Sequence, residues 1–396
     1  MPGLAGEWGG SGLAHLTGRP EGAPDFSRAA VLDRAQGVAA ATGGRLGMAV
    51  DAINAAGLLT GRAGLLGLTR GGQVSAGGAT RLLAARDGWC AITLARPDDV
   101  AAVPALLQAD DIPGDPWPVL TRWVAAREVS AVTERAALLD IPAAGLGEAV
   151  AAPPRIRLIG SRAPARGVAG LVVADLSSMW AGPLCGQLLA RAGATVVKVE
   201  SPRRPDGTRT GNRAFFDWIN GDKLSYCVDF DTHAEELRGL LAVADIVIDG
   251  SRPAALTRRR LGPDDAAPRP GRIWLRINGY ESARPAFGDD AAVAGGLVGT
   301  SAAEPVFCGD AIADPLSGLE AAAAVTESLA RGGGELLEVF MAAVAATYAA
   351  LPTAPSVSDC PAPPPAPPQV SGAATEPGAD NDAVRRIVGD RARRSC

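Results

Sequence analysis

Histidine is almost missing from the 396 residues: only His15 and His233 occur. General-base catalysis and Ser–His nucleophile pairs have little to draw on, and each imidazole reads more simply as a surface or capping residue. Lysine is as rare, with Lys198 and Lys223 against 36 arginines. The six cysteines, Cys90, Cys185, Cys227, Cys308, Cys360 and Cys396, stand singly, without the close pairs of a zinc site or redox motif. No metal is expected, and unpaired thiols suit a reducing compartment. Aromatics make up 4% against 47% apolar residues, so the core must be aliphatic, which still suffices for a globular fold. No apolar run reaches the roughly 18–20 uncharged residues of a membrane span, and Met1 to Ala14 lacks a basic region followed by an apolar one. The net charge is −5, with no basic stripe to neutralise phosphates. A cytoplasmic protein with no nucleic-acid or membrane partner is expected.

Length alone suggests two domains, at roughly 100–200 residues each. Short β-rich runs at Leu171–Asp175, Thr195–Glu200, Leu224–Asp229, Ile246–Asp249 and Arg272–Asn278 alternate with Ala/Leu-rich stretches. Helices are expected at Pro183–Ala192, Ala234–Ala242, Pro253–Arg260, Pro315–Ala330 and Leu336–Ala350. Such alternation predicts βαβ units and a parallel sheet over residues 168–350. Before it, 151–167 reads as a Pro/Arg-broken linker with a short strand at Ile156–Ile159. Residues 71–150 read as a small α+β domain, with strands around Leu82–Leu83 and Cys90–Leu94 and helices at Val100–Gln108 and Trp117–Ala126. Residues 1–70 read as helical and Gly/Ala-rich. From 351 to 396 the chain turns to Pro, Ala, Ser and Gly and holds nine of the 31 prolines. That composition predicts a disordered, unpacked tail.

The segment Ser11–Gly18, followed by Val31–Val38, echoes Gly295–Thr300, followed by Ile312–Leu319. Either this is a chance match of Ala/Gly-rich sequence or it marks a duplicated or permuted architecture.

The first strand of the alternating half runs into the turn 176–183, LSSMWAGP, and then a helix. A turn of small residues leaves helix N–H groups open to an anion, and Gly182-Pro183 is also an ordinary helix start. Lys198 and Lys223 lie at strand ends where an anionic ligand could reach them, or where they are simply solvated. Arg252 and Arg258–Arg260 follow the fourth strand as a phosphate cradle or a solvated basic face. The remaining candidates are carboxylates: Asp289, Asp290, Asp310 and Asp314. Asp314 precedes Pro315 and a long helix, so it reads as an N-cap. The helix dipole at that place would also keep it ionised among amide donors, as suits a carboxylate nucleophile.

The motifs VVADLSSMWAGPLCGQLLARAGATVVKVESP, NGDKLSYCVDF, ADIVIDGSRPAAL, RIWLRINGYE and GDAIADPLSGLEAAAAV, in that order, resemble those of the class III CoA-transferases. The resemblance implies an α/β fold, with a Rossmann-like, parallel-sheet CoA-binding domain beside the smaller N-terminal α+β domain, in a homodimer. It implies no permanently bound cofactor, with acyl-CoA and a carboxylic acid as substrates. It makes Asp314, in the D-x-x-S-G position, a covalent nucleophile, and places a further acidic catalytic position at Asp289 or Asp290. CoA contacts carried over by position are Ser178, Trp180, Ala181, Val228, Arg252, Ala255 and Arg258. The arginine often found after K-V-E is Ser201 here, with Arg203 and Arg204 close by. The order of parts departs from the family. RLLAARDGWCAITLARPDDVAAVP, residues 81–104, resembles the start of a small domain that normally follows the catalytic helix, and here it precedes the sheet. Asp33 then stands as a relic of, or counterpart to, Asp314.

The leading expectation is CoA transfer between carboxylic acids through an aspartyl intermediate. An α-methylacyl-CoA racemase-like activity would need a His–Asp pair near Gly288, where Asp289-Asp290 stand. A non-catalytic CoA-binding subunit with a degenerate site is the alternative from another class.

Overall fold

The protein is seen in a computed structural model that describes residues 3–49, 51–112, 114–251, 256–301 and 303–395. Three N-terminal helices, α1 (Leu4–Gly10), α2 (Ala29–Arg45) and α3 (Ala55–Leu66), lead into β1 (Thr80–Ala84) and β2 (Trp89–Thr93). Next come α4 (Pro97–Ala101), α5 (Val103–Leu107), α6 (Trp117–Ala125), α7 (Val129–Leu138) and β3 (Ala143–Gly145). β1, β2 and β3 form an antiparallel sheet. Leu83, Ile92, Leu106, Leu120 and Val132 fill an apolar cluster between that sheet and its helices.

The second sheet is built from β4 (Arg155–Leu158), β5 (Val172–Asp175), β6 (Thr195–Glu200), β7 (Leu224–Cys227), β8 (Ile246–Asp249), β9 (Ile273–Asn278) and β12 (Glu335–Phe340). Their order is β4-β12-β9-β8-β5-β6-β7. β4 pairs antiparallel with β12, and all the other pairs are parallel. Counted from β5, the parallel strands run 3-2-1-4-5-6. This doubly wound order reverses between β5 and β8, and sheets of this order take their ligands at the carboxyl ends of the strands beside such a reversal. Successive side chains point to opposite faces: Val173, Ile246, Ile248 and Leu275 pack under α8 (Ala181–Arg191) and α13 (Ala313–Ala330). Val172, Ala174, Val247 and Trp274 pack on the other side, with α11 (Ala234–Val243) and α15 (Asn381–Ser395). The remaining elements are α9 (Gly207–Thr210), α10 (Arg213–Asn220), α12 (Gly288–Ala294), the hairpin β10 (Val298–Ser301) and β11 (Glu304–Phe307), and α14 (Met341–Ala349).

Residues 1–70 share the cluster under α8 and α13: Trp8, Leu13, Phe26, Leu32 and Leu58 are all buried there. Two expectations change. Leu336–Ala350 is not one helix, because Leu336–Phe340 forms the buried strand β12 between β9 and β4. Within that run Leu337 and Val339 point to one face and Leu336 to the other, the period of a strand. The Pro-rich tail is also packed rather than loose. Its backbone bonds to Phe26 and Ser27 through Ser356 and Ala354, and it passes against Gly9, Gly12 and Gly64, where a Cβ would strike Pro361, Pro365 and Ala366. Proline has no N–H to leave unpaired, so an extended proline run can lie on a surface of small residues at little cost. No helix among the described residues is long and apolar enough to cross a membrane.

Candidate active site

Two helix starts meet at the carboxyl side of the large sheet. Asp314 is the second residue of α13 and Asp289 the second of α12. Each bonds to the backbone that opens the other's helix: Gly288 N donates to Asp314 Oδ2 at 3.1 Å, and Ala311 N to Asp289 Oδ1 at 3.0 Å. Asp314 is therefore not an N-cap of its own helix, where Ile312 stands without a side-chain bond. A Cβ on Gly288 would come within 2.5 Å of the Asp314 carboxylate, so the absence of a side chain makes that cradle.

The two carboxylates are half-buried, whereas Asp290 and Asp310 are sealed. Asp290 turns inward: its Oδ1 accepts from Phe287 N and from Thr93 Oγ1, both at 2.9 Å, tying α12 to β2. Asp290 thus links α12 to the three-stranded sheet and does not face the half-open space beside Asp314. Thr80 Oγ1 reaches Asp289 Oδ2 at 3.3 Å.

Burial raises all four carboxyls. Asp314 is pushed up to about 7 by burial, with Asp289 and Asp310 adding to it and the Arg62 guanidinium pulling the other way. Asp289 rises to about 6 by burial and the Asp310 charge, and Asp290 to about 7 by burial. The helix dipole does not keep Asp314 fully ionised, because loss of water around a clustered acid outweighs it.

Arg62 escapes motif reading altogether. It sits on α3, which begins at Asn54, whose side chain accepts from Gly57 N, and ends at Gly67 with φ +63°. Gly61 lets that helix lie on Trp218, where a Cβ would come within 2.5 Å of the indole. Arg62 Nη1 donates to Asp310 Oδ1 at 2.5 Å, and its guanidinium carbon lies 5.8 Å from the Trp180 ring centre and 5.9 Å from that of Phe215. The one sequence signal for it was an arginine within an otherwise apolar helix.

The turn before α8 adjoins this cluster. Gly318, one turn after Asp314, packs on the Ala181 carbonyl, which a Cβ there would meet at 2.6 Å. Trp180 and Ala181 are buried, Ser178 is exposed, and Met179 takes a left-handed φ of +73°. Such a φ strains any residue but glycine, by about 1–3 kcal/mol where it is held. Two lysines hold it. Lys198 Nζ donates to the Ser177 carbonyl and, at 2.7 Å, to Asp206, whose carboxylate also accepts from Met179 N. Lys223 Nζ bonds Asp175 at 2.8 Å and the Pro183 carbonyl at 2.7 Å. Neither lysine stands solvated or open to a ligand as its strand-end place suggested. Both are buried with their anions and brace the turn from below.

Of the other carried-over contacts, Val228 is buried, Arg258 is exposed, and Arg252 and Ala255 lie outside the described residues. Arg203 is paired with Asp229. Asp33 is exposed on α2, and no bond joins it to the carboxylate cluster among the described residues. His233 is exposed against Thr232, and half-buried His15 meets the Ala362 backbone.

Residues 168–374 match CoA-transferase family III. A succinyl-CoA–D-citramalate CoA-transferase of Chloroflexus aurantiacus is 28% identical over 201 residues, which is 45% of this chain and 50% of that protein. A probable fatty acyl-CoA transferase of Mycobacterium tuberculosis is 34% identical over 128 residues, 30% of this chain and 32% of that one. The crystal structure of a Mycobacterium tuberculosis protein superposes with a TM-score of 0.42 at 29% identity, over 48% of this chain and 57% of the other. The chain spans about half the length, or less, of these curated relatives. The matched residues cover more than half of the chain and carry α8, the parallel strands of the large sheet and α13, and on that ground the chain belongs to CoA-transferase family III.

Proposed function

We propose that the protein moves coenzyme A from an acyl-CoA to a carboxylic acid, with Asp314 as the covalent carrier. The observation that carries this reading is the place of Asp314: half-open, cradled by Gly288 N–H, and one helical turn from the contact of Gly318 with Ala181.

The steps balance without any outside reactant. The Asp314 carboxylate attacks the thioester carbonyl, the C–S bond breaks, and CoA leaves as thiolate from a mixed anhydride. The thiolate then attacks the aspartyl carbonyl, expelling the donor carboxylate and leaving an aspartyl–CoA thioester. An acceptor carboxylate repeats the exchange in reverse, ending as its own CoA thioester and freeing Asp314. The attacking group must be ionised, so the Arg62 guanidinium and the Gly288 amide favour the reactive form. Asp289 works against it, adding negative charge beside the nucleophile. Rossmann-like CoA binding belongs to the switch point between β5 and β8, with Ser178, Trp180 and Ala181 on one side and Gly250 and Ser251 on the other. A homodimer follows from the same resemblance, and the mass in solution by light scattering checks it. Racemisation is disfavoured by the absence of a histidine bonded to the cluster among the described residues.

Incubation with an acyl-CoA donor followed by hydroxylamine or borohydride should place a mass shift on the peptide that holds Asp314. A wild-type rate in Asp314→Ala would refute the proposal. Tight CoA binding by calorimetry, with no transfer to any tested acid, would favour a non-catalytic CoA-binding subunit instead.

A further inference from the structure

The transfer proposed above brings an acid into a site that already holds Asp289, Asp310 and Asp314. A further carboxylate among them needs a cation with donors to spare. Arg62 has them. Its bond to Asp310 at 2.5 Å is its one hydrogen bond among the described residues, which leaves Nε and Nη2 unused. A guanidinium carries five N–H groups in a rigid fork matched to a carboxylate. Asp310 anchors one arm, and Trp180 and Phe215 hold the group from the side. Its side chain is 26% exposed while Asp310 is fully covered, so the anchor is sealed and the free arm is not. That arm points to Gly77, where a Cβ would come within 3.2 Å of Nη2. Gly77 and Gly78 are both exposed. A window of bare backbone therefore lies between the free donors of Arg62 and solvent.

We propose that Arg62 is the docking cation for the carboxylate of the acid substrate, reached across Gly77, and that it determines which acids the protein accepts. The role rests on the CoA-transfer reading but is measurable apart from it. α3, outside the motif set, then supplies the specificity residue of the site. The group recognised is an ionised carboxylate, and an uncharged amide of the same shape lacks the charge that Arg62 selects.

The test is calorimetric titration of the full chain with acetate, butyrate, hexanoate, malonate, succinate and glutarate, and with the matching amides as uncharged controls. Wild type is compared with Arg62→Ala, Arg62→Lys and Gly77→Val, each checked by thermal melting. At least one acid should bind the wild type. Its affinity should fall tenfold or more in Arg62→Ala and Gly77→Val and survive in part in Arg62→Lys, while its amide does not bind. In turnover with that acid, its KM should rise with the same ratio and the KM for acyl-CoA should move less than threefold. Unchanged affinity in both Arg62→Ala and Gly77→Val overturns the proposal, and so does a wild type that binds none of the six acids. Acid binding lost with Arg62, in a protein that transfers no CoA, upholds the docking role and removes the transfer reading instead. Arg62→Ala leaves Asp310 buried without its partner, so if that variant does not fold, Gly77→Val and Arg62→Lys carry the result, since both leave a cation beside Asp310.

Discussion

Asp289 and Asp314 secure each other's helices: each carboxylate accepts the backbone N–H at the opening of the other's helix, at 3.0 and 3.1 Å. The exchange fixes two acids side by side, in a place where repulsion would otherwise drive them apart. It also makes Gly288 exacting, because an added methyl would lie 2.3 Å from the Ala311 carbonyl and 2.5 Å from Asp314 Oδ2. Gly288→Ala should lower CoA transfer by at least tenfold and destabilise the fold by about 1–3 kcal/mol, read from turnover and from denaturant unfolding. Unaltered activity in a well-folded variant would show that the cradle does not matter for the chemistry.

Burial pushes Asp314 up to about 7, and as the proposed nucleophile it must be ionised to attack. The transfer rate at saturating acyl-CoA should therefore rise from pH 6 to pH 8 and level off above. Arg62→Ala should move that midpoint to higher pH, since the guanidinium lowers the Asp314 value. A pH–rate profile of both proteins decides it, and a flat profile in the wild type would contradict the assignment.

Asp290 is sealed and raised to about 7. Between the unfolded value near 4 and that folded value, the native state holds a proton that the unfolded chain has released. Its contribution to stability is present below about pH 4 and is lost as pH rises through about 7. Each tenfold difference in proton affinity between the folded and unfolded chain corresponds to about 1.4 kcal/mol. Melting temperatures should fall between pH 5 and pH 7.5, and Asp290→Asn, which keeps an acceptor for Phe287 N, should flatten the slope.

Lys223 and Asp175 are both completely covered and 2.8 Å apart. Lys223→Met should cost about 3–5 kcal/mol in urea unfolding, because it strands a buried carboxylate. Exchanging both, Lys223→Met with Asp175→Asn, should recover much of that loss. If Lys223 instead served an anionic ligand, the single variant would keep its stability and lose CoA affinity.

Asn381 bonds Cys227 N through Oδ1 and the Cys227 carbonyl through Nδ2, at 2.9 and 3.0 Å, and Asp380 does the same service for Ser225 N. Together they cover the free edge of β7, which would otherwise offer unpaired groups to another chain. Asn381→Ala should cost about 1–3 kcal/mol and increase aggregation on heating, followed by light scattering against the unfolding curve.

Strand runs such as TVVKVE and IVID were legible because a strand buried on both faces is rich in β-branched apolar residues. The helix Pro315–Ala330 was legible because a run rich in alanine and leucine favours a helix. The swap of Leu336–Phe340 from helix to strand was not, since a short apolar run fits either period until its neighbours are known. The two lysines misled for a similar reason: a strand end looks exposed in one dimension, and only folding brings Asp206 and Asp175 over them. The proline-rich tail misled because composition reports how a segment behaves alone, and not the glycine-lined surface it meets.

By itself the sequence determined the alternation of strands and helices, the aliphatic core and the ordered motif set, because these depend on neighbours along the chain. Only the tertiary structure decided that α3 delivers Arg62 to Asp310, that Asp289 and Asp314 exchange backbone bonds, and that Asp290 turns inward to β2. Those pairings join residues up to 248 positions apart, and electrostatics at a few ångströms depends on distance in space, which no spacing in sequence encodes.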